Sequence, residues 1–155
     1  MAADDDKRLA AEAAVAEVRD GMLVGLGTGT TAAYAVTALA RRVAAGLKVE
    51  TVATSEATAA AARAGGLVVR DFADIAALDL AIDGADEIDP RLYAIKGAGG
   101  AMLREKTVAA ASRRMVVIAD GSKRVAAIGA VKLPVEVLPF ARTSVVAALA
   151  RLGAA

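Results

Sequence analysis

The chain contains no cysteine and no histidine. Without cysteine, a disulfide scaffold, a thiolate nucleophile and a Cys-ligated metal are all excluded, and a reducing compartment is permitted. Without histidine, proton transfer near neutral pH falls to Asp, Glu, Lys or Tyr. Aromatic residues make up only 3% of the 155 positions, so the core must be built from Ala, Val, Leu and Ile within a hydrophobic content of 57%. That is ample material for a packed interior and argues against disorder. Net charge is almost absent too, with 19 basic residues against 18 acidic ones. There is no basic stripe and no aromatic platform, so nucleic acid is not an expected partner.

Gly21 to Ala40 carry no charge for twenty positions, long enough to raise a membrane span. Gly25, Gly27 and Gly29, with Thr28, Thr30 and Thr31, interrupt the run, so a buried strand, a turn and a helix are expected instead. The chain opens on Asp4, Asp5 and Asp6, opposite in charge to a secretory signal. A soluble cytoplasmic protein with no membrane partner is the expectation.

Helical and strand patterns alternate. Helices are expected over Asp5 to Val18, Thr31 to Ala44, Glu56 to Ala64, from the Gly97–Gly100 loop to Ala111, and over Ala141 to Leu152. Strands are expected over Met22 to Leu26, Val49 to Thr54, Leu67 to Val69, Leu78 to Ile82, Met115 to Ala119 and Val135 to Leu138. Short β-branched runs separated by helices predict an α/β fold, with a Rossmann-like, mainly parallel sheet and helices on both faces. Ligands in such sheets bind beyond the strands' C-terminal ends, where the polar clusters lie.

The segment from Gly25 to Ala32, GLGTGTTA, joins a strand to a helix. Its glycines let backbone approach an anion, and the helix start offers unpaired N–H groups. It also satisfies G-x-G-x-x-A, but a dinucleotide site wants an acid at the end of the next strand, where Thr54 and Ser55 stand. A terminal phosphate fits better; a plain capped turn remains the alternative. Ser55 and Thr58 form a second hydroxyl cluster, explicable as helix capping or as a share in the same phosphate.

Asp83, Asp86, Glu87 and Asp89 put four carboxylates in seven residues. A tight turn at Gly84 would aim Asp83 and Asp86 into one crevice; a solvated turn or an oxygen-rich Mg²⁺ or Ca²⁺ loop is the alternative. After the loop at Gly97, Glu105 falls on a helical stripe with Ala101, Met102, Val108 and Ala109. A desolvated carboxylate there is a stronger base when ionised; an exposed charged face is the alternative. Lys123, following another strand, could place a cation in the same crevice; a surface turn with solvated bases is the equal alternative. Lys7, Arg41 and Arg63 read as solvent-facing charges.

In order, GLGTGTTA, TSEAT, DLAIDGADEID, IKGAGGAMLREK, ADGSKRV and LPVEVLPFA resemble the signature blocks of type A ribose-5-phosphate isomerase, with Ala98 interrupting a glycine run usual in the IKGAGGAMLREK block. The resemblance implies D-ribose 5-phosphate and D-ribulose 5-phosphate interconverting through an enediolate, with Glu105 as general base. It implies Asp83 and Asp86 for ring opening and hydroxyl protons, and Lys96 and Lys123 near the substrate. Thr28, Gly29, Thr30 and Thr31 would bind phosphate, with Ser55 and Gly97 in neighbouring blocks. No metal or cofactor and a homo-oligomer, dimer or tetramer, are implied.

Family members continue past the last block. Residues 1–130 are therefore expected to form the catalytic domain, and 131–155 the truncated start of a small α+β domain whose Val145, Val146, Leu149 and Leu152 need covering. A weak or inactive sugar-phosphate-binding module is the competing expectation; a nucleotide-binding oxidoreductase is disfavoured by the missing acid.

Overall fold

The computed structural model describes residues 2–154. Helix α1 spans Ala2–Ala16, and β1, Leu23–Leu26, follows it. Helix α2 covers Thr30–Ala44, β2 Glu50–Ala53, α3 Glu56–Ala64 and β3 Val68–Val69. The chain then forms β4, Leu80–Gly84, and a small hairpin of β5, Glu87–Ile88, and β6, Ala94–Ile95. Helix α4 is Met102–Ala111, β7 is Met115–Ile118, and α5 is Arg142–Arg151.

The main sheet has the order β3-β2-β1-β4-β7, with every pairing parallel. The chain steps outward from β1 to β2 and β3, then returns to the other side of β1 as β4. Successive connections thus leave in opposite directions at β1 and β4, opening a crevice past their C-terminal ends. This is the expected α/β architecture.

Strand alternation assigns the two faces. Val24, Leu26, Leu80, Ile82 and Ile118 pack with α1 and α2 through Ala11, Val15, Ala35 and Leu39. Ala81 and Val52 point the other way, toward Val108 of α4. Helices therefore cover both faces. Gly25 is small because α4 lies close: a β-carbon there would sit 2.5 Å from Val108 Cγ1. No described helix is long and apolar enough to cross a membrane, so the uncharged run does form a strand, turn and helix.

Two features differ from expectation. The β5–β6 hairpin was not anticipated, and Val135 to Leu138 forms no strand. Pro134 and Pro139 bracket that run and lack the N–H a ladder requires. It lies extended beside α4 instead, where Glu136 accepts a hydrogen bond from the Leu103 N–H at 2.7 Å.

Candidate active site

The turn after β1 is shaped by two glycines. Gly29 has φ +113°, which favours glycine, and a β-carbon at Gly27 would collide with the Asp83 carboxylate. Thr28 meets Thr54 hydroxyl to hydroxyl at 2.7 Å, and Thr58 donates to the Gly27 carbonyl at 3.0 Å. No side chain caps α2, so its first N–H groups face outward at the positive end of the helix dipole. Ser55 caps α3, accepting from the Thr58 N–H at 3.1 Å.

The acidic cluster divides its work. Asp83, 4% exposed, points from β4 toward α4 and pairs with the Lys96 ammonium at 3.0 Å. Asp86 accepts from the Ala98 N–H at 3.0 Å, fastening the glycine loop. Glu87 turns away, taking the N–H groups of Gly129 and Val131 at 2.8 and 2.9 Å. Asp89 organises the hairpin, accepting from the N–H groups of Arg91 and Tyr93 and from the Arg91 side chain.

Glu105 is 6% exposed and occupies the buried side of α4 with Val108. Its neighbours on the helix surface stay outside, Arg104 reaching Glu56 at 3.0 Å. Lys96 lies 3.5 Å from Glu105 and also donates to the Gly84 carbonyl. Burial pushes the Glu105 carboxyl above its ordinary range; Asp83 adds to this and Lys96 opposes it. Asp83 is raised as well, chiefly by burial, with Lys96 again opposing.

These elements enclose a cavity of about 170 Å³, whose walls include Thr28, Gly29, Thr30, Thr31, Asp86, Lys96, Gly97, Glu105 and Lys123. Asp83 stands directly behind Lys96, outside the lining. Ser55 does not line the cavity and reaches it through Thr58 and the Gly27 carbonyl. The arrangement holds an uncapped helix start and two lysines at an open pocket containing a desolvated carboxylate. It can grip an anion and exchange protons with what is attached to it.

Sequence reasoning missed several contributors. Gly99 also lines the cavity; its loop was noted but nothing marked that residue. Ala32, Gly84 and Ala85 complete the lining, and the sequence showed them only as members of their motifs. Lys7 is half-buried on α1 rather than solvent-facing. The Ser122 hydroxyl and N–H hold the Asp120 carboxyl below its ordinary range, with Lys7 and Lys123 adding to the effect. Arg41 and Arg63 are exposed as expected.

Residues 50–155 match the model of the family described as ribose 5-phosphate isomerase A (phosphoriboisomerase A). Ribose-5-phosphate isomerase A of Sphingopyxis alaskensis is 57% identical over 96% of this chain, which spans 65% of that relative's length. The crystal structure of ribose 5-phosphate isomerase A from Neisseria gonorrhoeae superposes with a TM-score of 0.89 at 40% identity, over 97% of this chain and 66% of that one. A D-ribose-5-phosphate isomerase in complex with phospho-erythronic acid gives 0.90 at 32% identity, over 97% and 67%. The motifs, the sheet and these matches agree, and the chain belongs to the ribose 5-phosphate isomerase A family.

Proposed function

We propose that this chain interconverts D-ribose 5-phosphate and D-ribulose 5-phosphate through an enediolate, with Glu105 as the general base. The observation that carries the reading is the buried Glu105 carboxylate, 3.5 Å from the Lys96 ammonium, on the wall of a pocket that the Thr28–Thr31 turn also lines. A relative's complex with phospho-erythronic acid, a phosphorylated sugar acid, supports a sugar phosphate as the ligand class.

The phosphate sits on the α2 start, held by the N–H groups of Gly29, Thr30 and Thr31, with Thr28 and Lys123 at its edges. Binding at this remote group holds the short sugar for reaction. Asp86, on the cavity wall, assists ring opening and moves hydroxyl protons, and Asp83 takes part from behind, through the Lys96 ammonium it holds at 3.0 Å. Ionised Glu105 removes the proton from C2 of the aldose, and its electrons form the C1–C2 double bond. The oxygen charge that develops is met by Lys96, released in part from Asp83. Glu105 then returns the proton to C1 as the C2 carbonyl forms. An internal proton transfer of this kind requires neither metal nor organic cofactor.

The same reading takes residues 1–130 as the catalytic domain and 131–155 as the start of a small α+β domain. It takes the protein to be cytoplasmic and a homo-oligomer, dimer or tetramer. Exposed Leu133, Leu138, Phe140 and Leu152 support burial of this end against something further.

The test is a coupled assay of ribulose 5-phosphate formation from ribose 5-phosphate by the 155-residue chain. Turnover that saturates with substrate and is competed by inorganic phosphate is expected. Tight binding of ribose 5-phosphate without turnover would contradict the isomerase reading and favour a binding module.

A further inference from the structure

Helix α4 starts without a local cap. Ala101 precedes its first residue and has no side chain able to accept from the N–H groups that open the helix. Glu136, 33 residues downstream of Leu103, does so instead, its Oε2 accepting the Leu103 N–H at 2.7 Å. A carboxylate here both satisfies a free donor and opposes the positive end of the helix dipole. Glu105 starts the regular ladder within the same turn, its N–H bonded to the Ala101 carbonyl at 3.0 Å.

The extended run that carries Glu136 is attached at two further points. Glu87 takes the N–H groups of Gly129 and Val131. Pro134 presses on the glycine loop, where a β-carbon at Gly97 would lie 2.5 Å from Pro134 Cγ. Gly97 adjoins Lys96, and Leu103 lies two residues from Glu105. The run therefore bears on both partners of the Lys96–Glu105 pair from outside the pocket.

From this we infer that Glu136 is a positioning residue, holding the first turn of α4 so that Glu105 stays against Lys96 and Asp83. The inference rests on the proposed role of Glu105. What matters is the reach of the side chain to the Leu103 N–H. Glu105 itself is faced by Asp83 on β4, Asp86 in the following turn and Lys96 after β6, with Lys123 on the same cavity wall and Arg104 and Lys106 beside it on α4.

The experiment compares Glu136→Asp, which keeps the charge and shortens the arm, with Glu136→Gln, which keeps the arm and an acceptor oxygen. Turnover is read in the coupled assay, and the Glu105 carboxyl is titrated by ¹³C NMR. The Asp variant is expected to lose kcat by roughly 10–100-fold, as misplaced catalytic groups do, with KM moving by about twofold. Its Glu105 should titrate closer to an ordinary glutamate, since a loosened first turn admits water. The Gln variant should keep kcat within about threefold of the parent and leave the Glu105 titration in place. Parent-like kcat and titration in Glu136→Asp would overturn the inference, as would failure of both variants to fold, which would make Glu136 purely structural. A parent chain without turnover would contradict the isomerase reading, and the Glu105 titration alone would then decide this one.

Discussion

At Glu105, burial and Coulomb attraction pull in opposite directions. Burial disfavours its charge, Asp83 adds repulsion, and Lys96 restores part of the loss. The net upward shift has two consequences with definite sign. Catalysis needs the ionised form, so kcat/KM should fall as pH drops through a Glu105 pKa lying above the ordinary glutamate value, as a pH–rate profile will show. Stability runs the other way. With the folded pKa raised, the native state holds more protons than the unfolded chain between the two values, so stability falls as pH rises through that window. Glu105→Gln should therefore melt higher than the parent at pH 8, with the difference closing at pH 4. Gly27 makes a second prediction at this scale. Glycine is required there by the Asp83 carboxylate, so Gly27→Ala should cost about 1–3 kcal/mol in chemical denaturation and displace Asp83. The burial of Glu105 was partly legible in the sequence, because helical periodicity sets it beside Ala101, Val108 and Ala109 while leaving an exposed charged face open. The closeness of Gly27 to Asp83 was not, since it joins residues on different strands.

Among the elements, those with sustained periodicity were readable and those made by tertiary contact were not. The strands β1, β2, β4 and β7 each form within two residues of their expected bounds, β4 starting and ending two residues later than expected. The hairpin of β5 and β6 has two residues in each strand, too few to show an alternation. Val135 to Leu138 has the composition of a strand but no strand beside it, and its prolines fix it as an extended run against α4. Ser55 shows the same limit in another form. Its capping role was legible from its spacing to Thr58, whereas its distance from the cavity depended on how α3 docks. Ser55→Ala should lower stability by about 0.5–2 kcal/mol, as lost caps do, while kcat stays near the parent value. Thermal melts beside the coupled assay separate those effects.

Over the whole molecule, the sheet order follows from which strands are buried on both faces. The crevice at β1 and β4 then gathers segments that lie far apart in the chain, from Thr28 to Lys123. That gathering is why each motif was ambiguous alone and why their order along the chain carried more information. Residues 131–155 are different in character, with Phe140 fully exposed and Leu138 and Leu152 largely so. If self-association covers this end, sedimentation velocity should find a dimer or tetramer, and Phe140→Asp should shift it toward smaller species. An unchanged distribution in that variant would remove Phe140 from the interface.

The account depends on a single carboxylate moving hydrogen between neighbouring carbons. Proton NMR of ribose 5-phosphate incubated with the chain in D₂O reads that event directly, because hydrogen carried by an exchangeable group is partly replaced by deuterium. Deuterium should enter at the C1 and C2 positions with the parent chain. With Glu105→Gln it should enter slower by roughly 10²–10⁴-fold, although the sugar phosphate still binds. Undiminished exchange in Glu105→Gln would contradict the account.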